Sequence, residues 1–188
     1  MGAAVATGVG IAFVLKGGHP KLSETSRILL IGDSMAQGLA PQLKAMADEA
    51  GIPFVSLAVK GTVISEWAGL TASAHGQALV ATLDAYRPTI ILVSLGTNDE
   101  YMSAAAAAAE ADDLLALLTL LETYGDVVWI GPPELPKDDS NGIVAMIEDT
   151  DVAYFPSQQL DIPRAPDDLH PTVGGYGSWA GMLWSWLT

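Results

Sequence analysis

The chain contains no cysteine. Disulfides, thiolate metal sites and cysteine nucleophiles are therefore excluded, while the compartment stays open, since secreted proteins of this size can fold without bridges. Basic residues are scarce: eight Lys and Arg stand against 22 Asp and Glu in 188 residues, a formal net charge of −14. Such a chain repels phosphates and anionic headgroups, so no nucleic-acid partner is expected. Histidine is rare too. Its three copies are far apart in sequence and give no zinc spacing, and the acidic residues follow no calcium-loop pattern, so no metal is expected. A glycine-rich phosphate loop is also missing, because Gly8-Val9-Gly10 does not follow a strand, and no cofactor is called for.

Long apolar runs are lacking as well. Gly2 to Leu15 is apolar but shorter than the ~20 residues that a bilayer-spanning helix needs. Lys16, Lys21 and Arg27 follow this stretch instead of preceding it, against a cleavable signal. Ala6 occupies the position where an N-myristoyl signal carries Ser or Thr. Three readings stay open for residues 1–26: a remnant of an anchor or signal, an extra element packed on the domain, or a disordered tail. Membrane association through this segment stays open with them, and a secreted or membrane-associated location is slightly favoured over a cytoplasmic one. Nothing in the sequence speaks to oligomeric state.

What is present reads as one globular domain. Half of the residues are hydrophobic, and a chain of this length fits a single core. Gly17-Gly18-His19-Pro20 marks a break, which places the domain at residues 27–188. Arg27 to Ile31 is a short apolar strand. It is followed by a helix over about Met35–Ala50, stopped by Gly51. Pro53–Ala58 reads as a second strand, and an irregular segment punctuated by Gly61 and Gly69 leads to a helix over Gln77–Tyr86. The unbroken run Ile90-Ile91-Leu92-Val93, within a strand over Thr89–Leu95, predicts burial on both faces of a parallel sheet. Leucines at helical spacing then mark a helix over Ser103–Tyr124. Strands at Asp126–Gly131 and Val152–Phe155 flank a loop over 132–142 and a short helix at Ile143–Glu148. A last helix spans Thr172–Leu187. Repeated strand-then-helix units predict right-handed crossovers and a three-layer α/β/α sandwich on a mostly parallel sheet of about five strands.

Ligands of such sheets bind beyond the carboxyl ends of the strands. The loops there hold Gly32-Asp33-Ser34, Gly61, Gly96-Thr97-Asn98-Asp99 and the segment Asp167–His170, so every chemistry-bearing motif falls on one rim. Ser34 stands where a strand gives way to a helix. It is placed either as a nucleophile beside backbone amides that can hold an anion, or as the cap of the helix. His170 has a carboxylate three residues earlier, Asp167, with Asp168 as a competing partner. Asn98 and Asp99 have a plain turn reading beside a functional one. Gly61 competes with Gly69 as a source of a backbone N–H. His19 and His75 read as structural or solvated.

These motifs, in this order, closely resemble those of the SGNH hydrolases of the broader GDSL esterase and lipase family, over most of the chain after Arg27. The resemblance implies that Ser34 is the nucleophile, His170 the base and Asp167 the residue that orients it. It also implies an oxyanion hole made from the backbone N–H groups of Ser34 and Gly61 and the side-chain amide of Asn98. Met35 stands where the family name has leucine, an apolar exchange of similar volume. Short loops and the lack of an obvious lid favour small acyl groups, with O-acetyl esters of carbohydrates preferred. Trp67, Tyr101 and the loop Pro132-Pro133-Glu134 could line the substrate. A lysophospholipid or thioester substrate, acyl transfer to a sugar, and a catalytically silent carbohydrate-binding module are the competing functions.

Overall fold

A computed structural model describes residues 19–69, 72–134 and 141–188. The apolar stretch Gly2 to Leu15 and most of the expected loop over 132–142 lie outside the described residues. Five strands form one all-parallel sheet in the order β2-β1-β3-β4-β5. They are β1 (Ile28–Gly32), β2 (Phe54–Ser56), β3 (Ile90–Ser94), β4 (Asp126–Ile130) and β5 (Ala153–Phe155). Between and after them run α1 (Ser34–Glu49), α2 (Ile64–Ala68), α3 (Ala74–Tyr86), α4 (Ala104–Glu122), α5 (Ile143–Glu148) and α6 (Val173–Leu187).

The central strands read as unbroken apolar runs because both of their faces are covered. Ile28 and Leu30 of β1, Ile90 and Leu92 of β3, and Val128 and Ile130 of β4 pack under α1 and α6. Their neighbours Leu29, Ile31, Ile91, Val93, Val127 and Trp129 point the other way, under α2, α3, α4 and α5. The side-chain period of two thus divides each run between two cores, and the expected α/β/α sandwich follows.

On the first face α1 and α6 lie against each other. Gly38 makes this approach close: a Cβ there would fall 2.0 Å from Cζ of Tyr176. Tyr176 in turn stacks on Trp179, with ring centroids 6.2 Å apart.

Two segments differ from the expectation. The stretch after Gly61 is not wholly irregular, since it contains α2. This helix has only five residues, too short to display an apolar period, and it is held by the Glu66 carboxylate accepting from the Val63 N–H at 3.0 Å. Residues 19–26, read as part of a linker, dock on α6. His19 stacks on Trp186 with centroids 4.1 Å apart, and the Leu22 N–H donates to the Leu187 carbonyl at 2.8 Å.

The chain moves from β1 outward to β2, then returns to the opposite side of β1 as β3. The direction of winding therefore reverses between β1 and β3, and the crevice beyond their carboxyl ends is the place where such sheets bind ligands.

Candidate active site

The crevice is built from the backbone first. Gly32 ends β1 with φ of +150°, and a Cβ on it would lie 2.1 Å from the Ser94 carbonyl oxygen. Only glycine lets the end of β1 come this close to the end of β3. The next residue, Asp33, donates its N–H to the same carbonyl at 3.1 Å. It also caps α1, its Oδ1 accepting from the Met35 N–H at 2.8 Å. Asp33 therefore takes the capping role that the sequence offered to Ser34. As the first residue of α1, Ser34 keeps its hydroxyl for another partner.

That partner is His170. Ser34 Oγ lies 3.0 Å from Nε2 of the imidazole, and Nδ1 lies 2.8 Å from Oδ2 of Asp167. An ionised carboxylate can only accept, so Nδ1 carries the proton and Nε2 is left bare to accept the serine O–H. Asp167 holds its own loop as well: Oδ1 accepts from the N–H groups of Leu169 at 3.1 Å and His170 at 2.9 Å. The hydrogen bond to the His170 ring, aided by the backbone donors, holds the Asp167 carboxyl down at about 2. Asp168 is turned away in a left-handed conformation, φ +55°, with its N–H on the Ala165 carbonyl at 3.0 Å. Arg164 braces the segment from the side, donating to the carbonyls of Leu169 and Glu134. Nothing in the sequence pattern marked Arg164 for this task.

The expected oxyanion donors fall into two kinds. No acceptor among the described residues takes the N–H of Ser34 or of Gly61, and Gly61 adopts φ of +78°. Gly69, the competing source, is used up: its N–H donates to the Ser65 carbonyl at 3.1 Å. Asn98 is different again. Its amide donates both hydrogens, one to Asp33 Oδ2 at 3.1 Å and one to the Thr62 carbonyl at 2.9 Å.

Two carboxyl groups are buried beneath this rim. Burial pushes Asp33 up to about 7, with the neighbouring Asp99 adding to the effect and the Met35 N–H opposing it. Asp99 is raised to about 6, again chiefly by burial. Oδ1 of Asp99 accepts from the Ile64 N–H at 3.1 Å and so anchors the start of α2. Its Oδ2 has no partner among the described residues, which favours the protonated form.

Trp67 does not line the crevice. It is 1% exposed, and its indole N–H donates to the Thr62 hydroxyl at 3.0 Å, fixing the segment after Gly61 from below. Tyr101 is half exposed at the rim. No cluster of three or more His, Asp or Glu suited to a metal occurs among the described residues.

A five-stranded parallel sandwich that brings a serine, a histidine and an aspartate to its switch point has the fold of the SGNH hydrolases. It resembles the psychrotrophic esterase EstA from Pseudoalteromonas sp., at TM-score 0.62 and 19% identity, over 85% of this chain and 95% of that one. It also resembles the family 3 carbohydrate esterase of Clostridium thermocellum, at TM-score 0.59 and 15% identity, over 85% and 94% of the two chains. The chain itself belongs to the family described as protein of unknown function (DUF459), whose pattern matches residues 27–153. That match spans Ser34, Gly61 and Asn98 and stops short of Asp167 and His170. A further similarity, 30% identity over 167 residues, is to the tryptophan synthase alpha chain of Streptococcus pneumoniae serotype 19F (strain G54), covering 84% of this chain and 55% of that one. The chain spans about half the length of the curated relatives it matches.

Proposed function

We propose that the chain is a serine ester hydrolase. Ser34 Oγ bonds to the ester carbonyl carbon while His170 Nε2 takes its proton, and the carbonyl electron pair moves onto oxygen. The imidazolium then returns that proton to the alcohol oxygen as the carbon–oxygen bond breaks, leaving an acyl-serine. Water, deprotonated by the same nitrogen, releases the acid and restores the hydroxyl. Asp167 keeps the imidazole in the tautomer that leaves Nε2 free to accept. Its depressed pKa keeps it ionised, and so able to accept from Nδ1, throughout the neutral range. The N–H groups of Ser34 and Gly61 and the amide of Asn98 are the donors for the oxyanion.

The observation that carries this reading is the unbroken path of hydrogen bonds, 3.0 Å from Ser34 to His170 and 2.8 Å from His170 to Asp167. A silent binding module has no need of a bare Nε2 on a serine hydroxyl. For the substrate, a small acyl group on a carbohydrate, above all O-acetyl, fits a site whose His170 and Asp167 side chains are 35% and 51% exposed. A long acyl chain would need more apolar cover than such an open rim offers. The fold shared with a carbohydrate esterase points the same way.

Labelling with a fluorophosphonate followed by peptide mapping tests the nucleophile. A single adduct on Ser34 is expected, and an adduct elsewhere, or none, overturns the proposal. Acetate release from acetylated xylan, set against hydrolysis of p-nitrophenyl octanoate, tests the acyl preference; faster turnover of the octanoate reverses it.

A further inference from the structure

Asp33 uses its two carboxylate oxygens for different purposes. Oδ1 accepts the Met35 N–H at 2.8 Å, an ordinary helix cap. Oδ2 accepts from Asn98 Nδ2 at 3.1 Å, across 65 residues of sequence, a bond that capping does not call for. A cap alone needs one oxygen, as serine at the same position would supply. The second oxygen is fully buried, where an acceptor is retained only if it is used.

The other hydrogen of the Asn98 amide rests on the Thr62 carbonyl at 2.9 Å. Thr62 immediately follows Gly61, so this hydrogen is directed at the segment that carries the free Gly61 N–H. The two N–H bonds of a planar amide diverge by about 120°, so fixing one of them fixes the direction of the other. A developing oxyanion is a stronger acceptor than a neutral carbonyl and would draw the second hydrogen from Thr62. It would not draw the first, because the buried Asp33 Oδ2 is shut off from any water that could replace the amide hydrogen.

We propose that Asp33 is a positioning residue for the oxyanion hole: it keeps one hydrogen of the Asn98 amide, so that the other, parked on the Thr62 carbonyl, is the one transferred to the substrate oxyanion. This rests on the hydrolase reading. The Thr62 carbonyl serves as a placeholder that the substrate oxygen displaces. Thr62 is itself held in place, its hydroxyl donating to the Val59 carbonyl at 2.8 Å while accepting the Trp67 indole N–H at 3.0 Å.

Asp33→Ser keeps a helix-capping oxygen and removes the acceptor for Asn98. Its kcat on p-nitrophenyl acetate is expected to fall ~10- to 100-fold with KM within about threefold of wild type, because the lost interaction acts in the transition state. Asn98→Ala should lose ~100-fold. The decisive measurement is the double variant, Asp33→Ser with Asn98→Ala. It should be no more than about threefold slower than Asn98→Ala alone, since Asp33 acts only through that amide. A purely structural Asp33 would instead give multiplied losses, and those, or a fully active Asp33→Ser, overturn the proposal. Should the wild-type chain neither turn over the ester nor take up a fluorophosphonate, the hydrolase reading fails by itself. The positioning is then decided by the Asn98 side-chain amide signals in a 1H–15N spectrum. They should shift in Asp33→Ser, and signals that stay in place overturn it.

Discussion

The two halves of the candidate site are made in opposite ways. Asp33, Ser34 and Asn98 sit at the ends of β1 and β3, where strand pairing and a glycine without space for a Cβ fix the backbone, and the Asp33 carboxyl is fully buried. Asp167 and His170 stand on a loop with half-exposed side chains, ordered by local hydrogen bonds from Asp167 back to its own backbone and by the Arg164 brace. The first half is an outcome of the core and the second of a turn. A nucleophile that must meet an oxyanion hole to within a fraction of an ångström is placed on the rigid part. The base, which has to carry a proton between the serine and a departing alcohol, is placed where solvent and some local freedom are available.

The sharpest way to break this contrast is to remove the chemistry and leave the scaffold. Ser34→Ala and His170→Ala should each lower ester turnover by ~10⁴-fold while thermal melts stay within a few degrees of wild type. A variant that kept its rate would end the assignment of that residue. Next in size, Gly32→Ala attacks the rigid half directly, because the new methyl group would press on the Ser94 carbonyl from a backbone conformation that favours glycine. Urea unfolding should show a loss of about 3 kcal/mol or more. A near-neutral Gly32→Ala would mean that the strand ends are not the fixed frame described above.

The buried carboxyls sharpen the contrast through pH. Asp33 and Asp99 are raised to about 7 and about 6, so the folded chain keeps protons that the unfolded chain gives up. Their contribution to stability is fully present below the ordinary carboxyl pKa of 3.8 and is lost as the pH rises through about 6 to 7. Asp167 has the opposite sign: held at about 2, it contributes above the ordinary range and fades only as the pH falls towards 2. Between pH 5 and pH 8 the buried pair therefore decides the slope. Urea unfolding should show the wild type losing about 1–3 kcal/mol more than Asp33→Ser over that interval, and parallel curves would contradict the raised pKa of Asp33. The smallest effect is expected far from either half. Lys44 pairs with Asp48 at 2.7 Å between side chains that are 56% and 60% exposed, and Lys44→Ala should change stability by less than about 0.5 kcal/mol.

The sequence exposed these regions unequally. The strands β1, β3 and β4 were legible because burial on two faces leaves a continuous apolar run, and α4 because its leucines recur at helical spacing. Motif order pointed to Ser34, Asn98, Asp167 and His170, and the structure brings Ser34 within reach of the His170–Asp167 pair. What escaped left no period or motif in the sequence. Asp33 drew no role of its own from the Gly32-Asp33-Ser34 motif because its second partner is 65 residues away. Arg164 gave no signal because it donates to carbonyls, which any residue supplies. Trp67, taken as an aromatic beside a loop, packs instead beneath the Gly61 segment, and α2 was too short to show a period. The family match has the same asymmetry: it covers the rigid half and ends before the loop that carries His170.

The missing side chain at Gly38 has a consequence for how the two halves stay in register. The helix that begins at Ser34 and the helix that begins three residues after His170 are spaced by the flat contact of a tyrosine ring on bare backbone. That gap works as a shim between the helix that carries the hydroxyl and the helix that follows the imidazole. A single methyl group at position 38 would fall within 2.0–2.4 Å of ring atoms of Tyr176, so the ring or one of the two helices would have to give way.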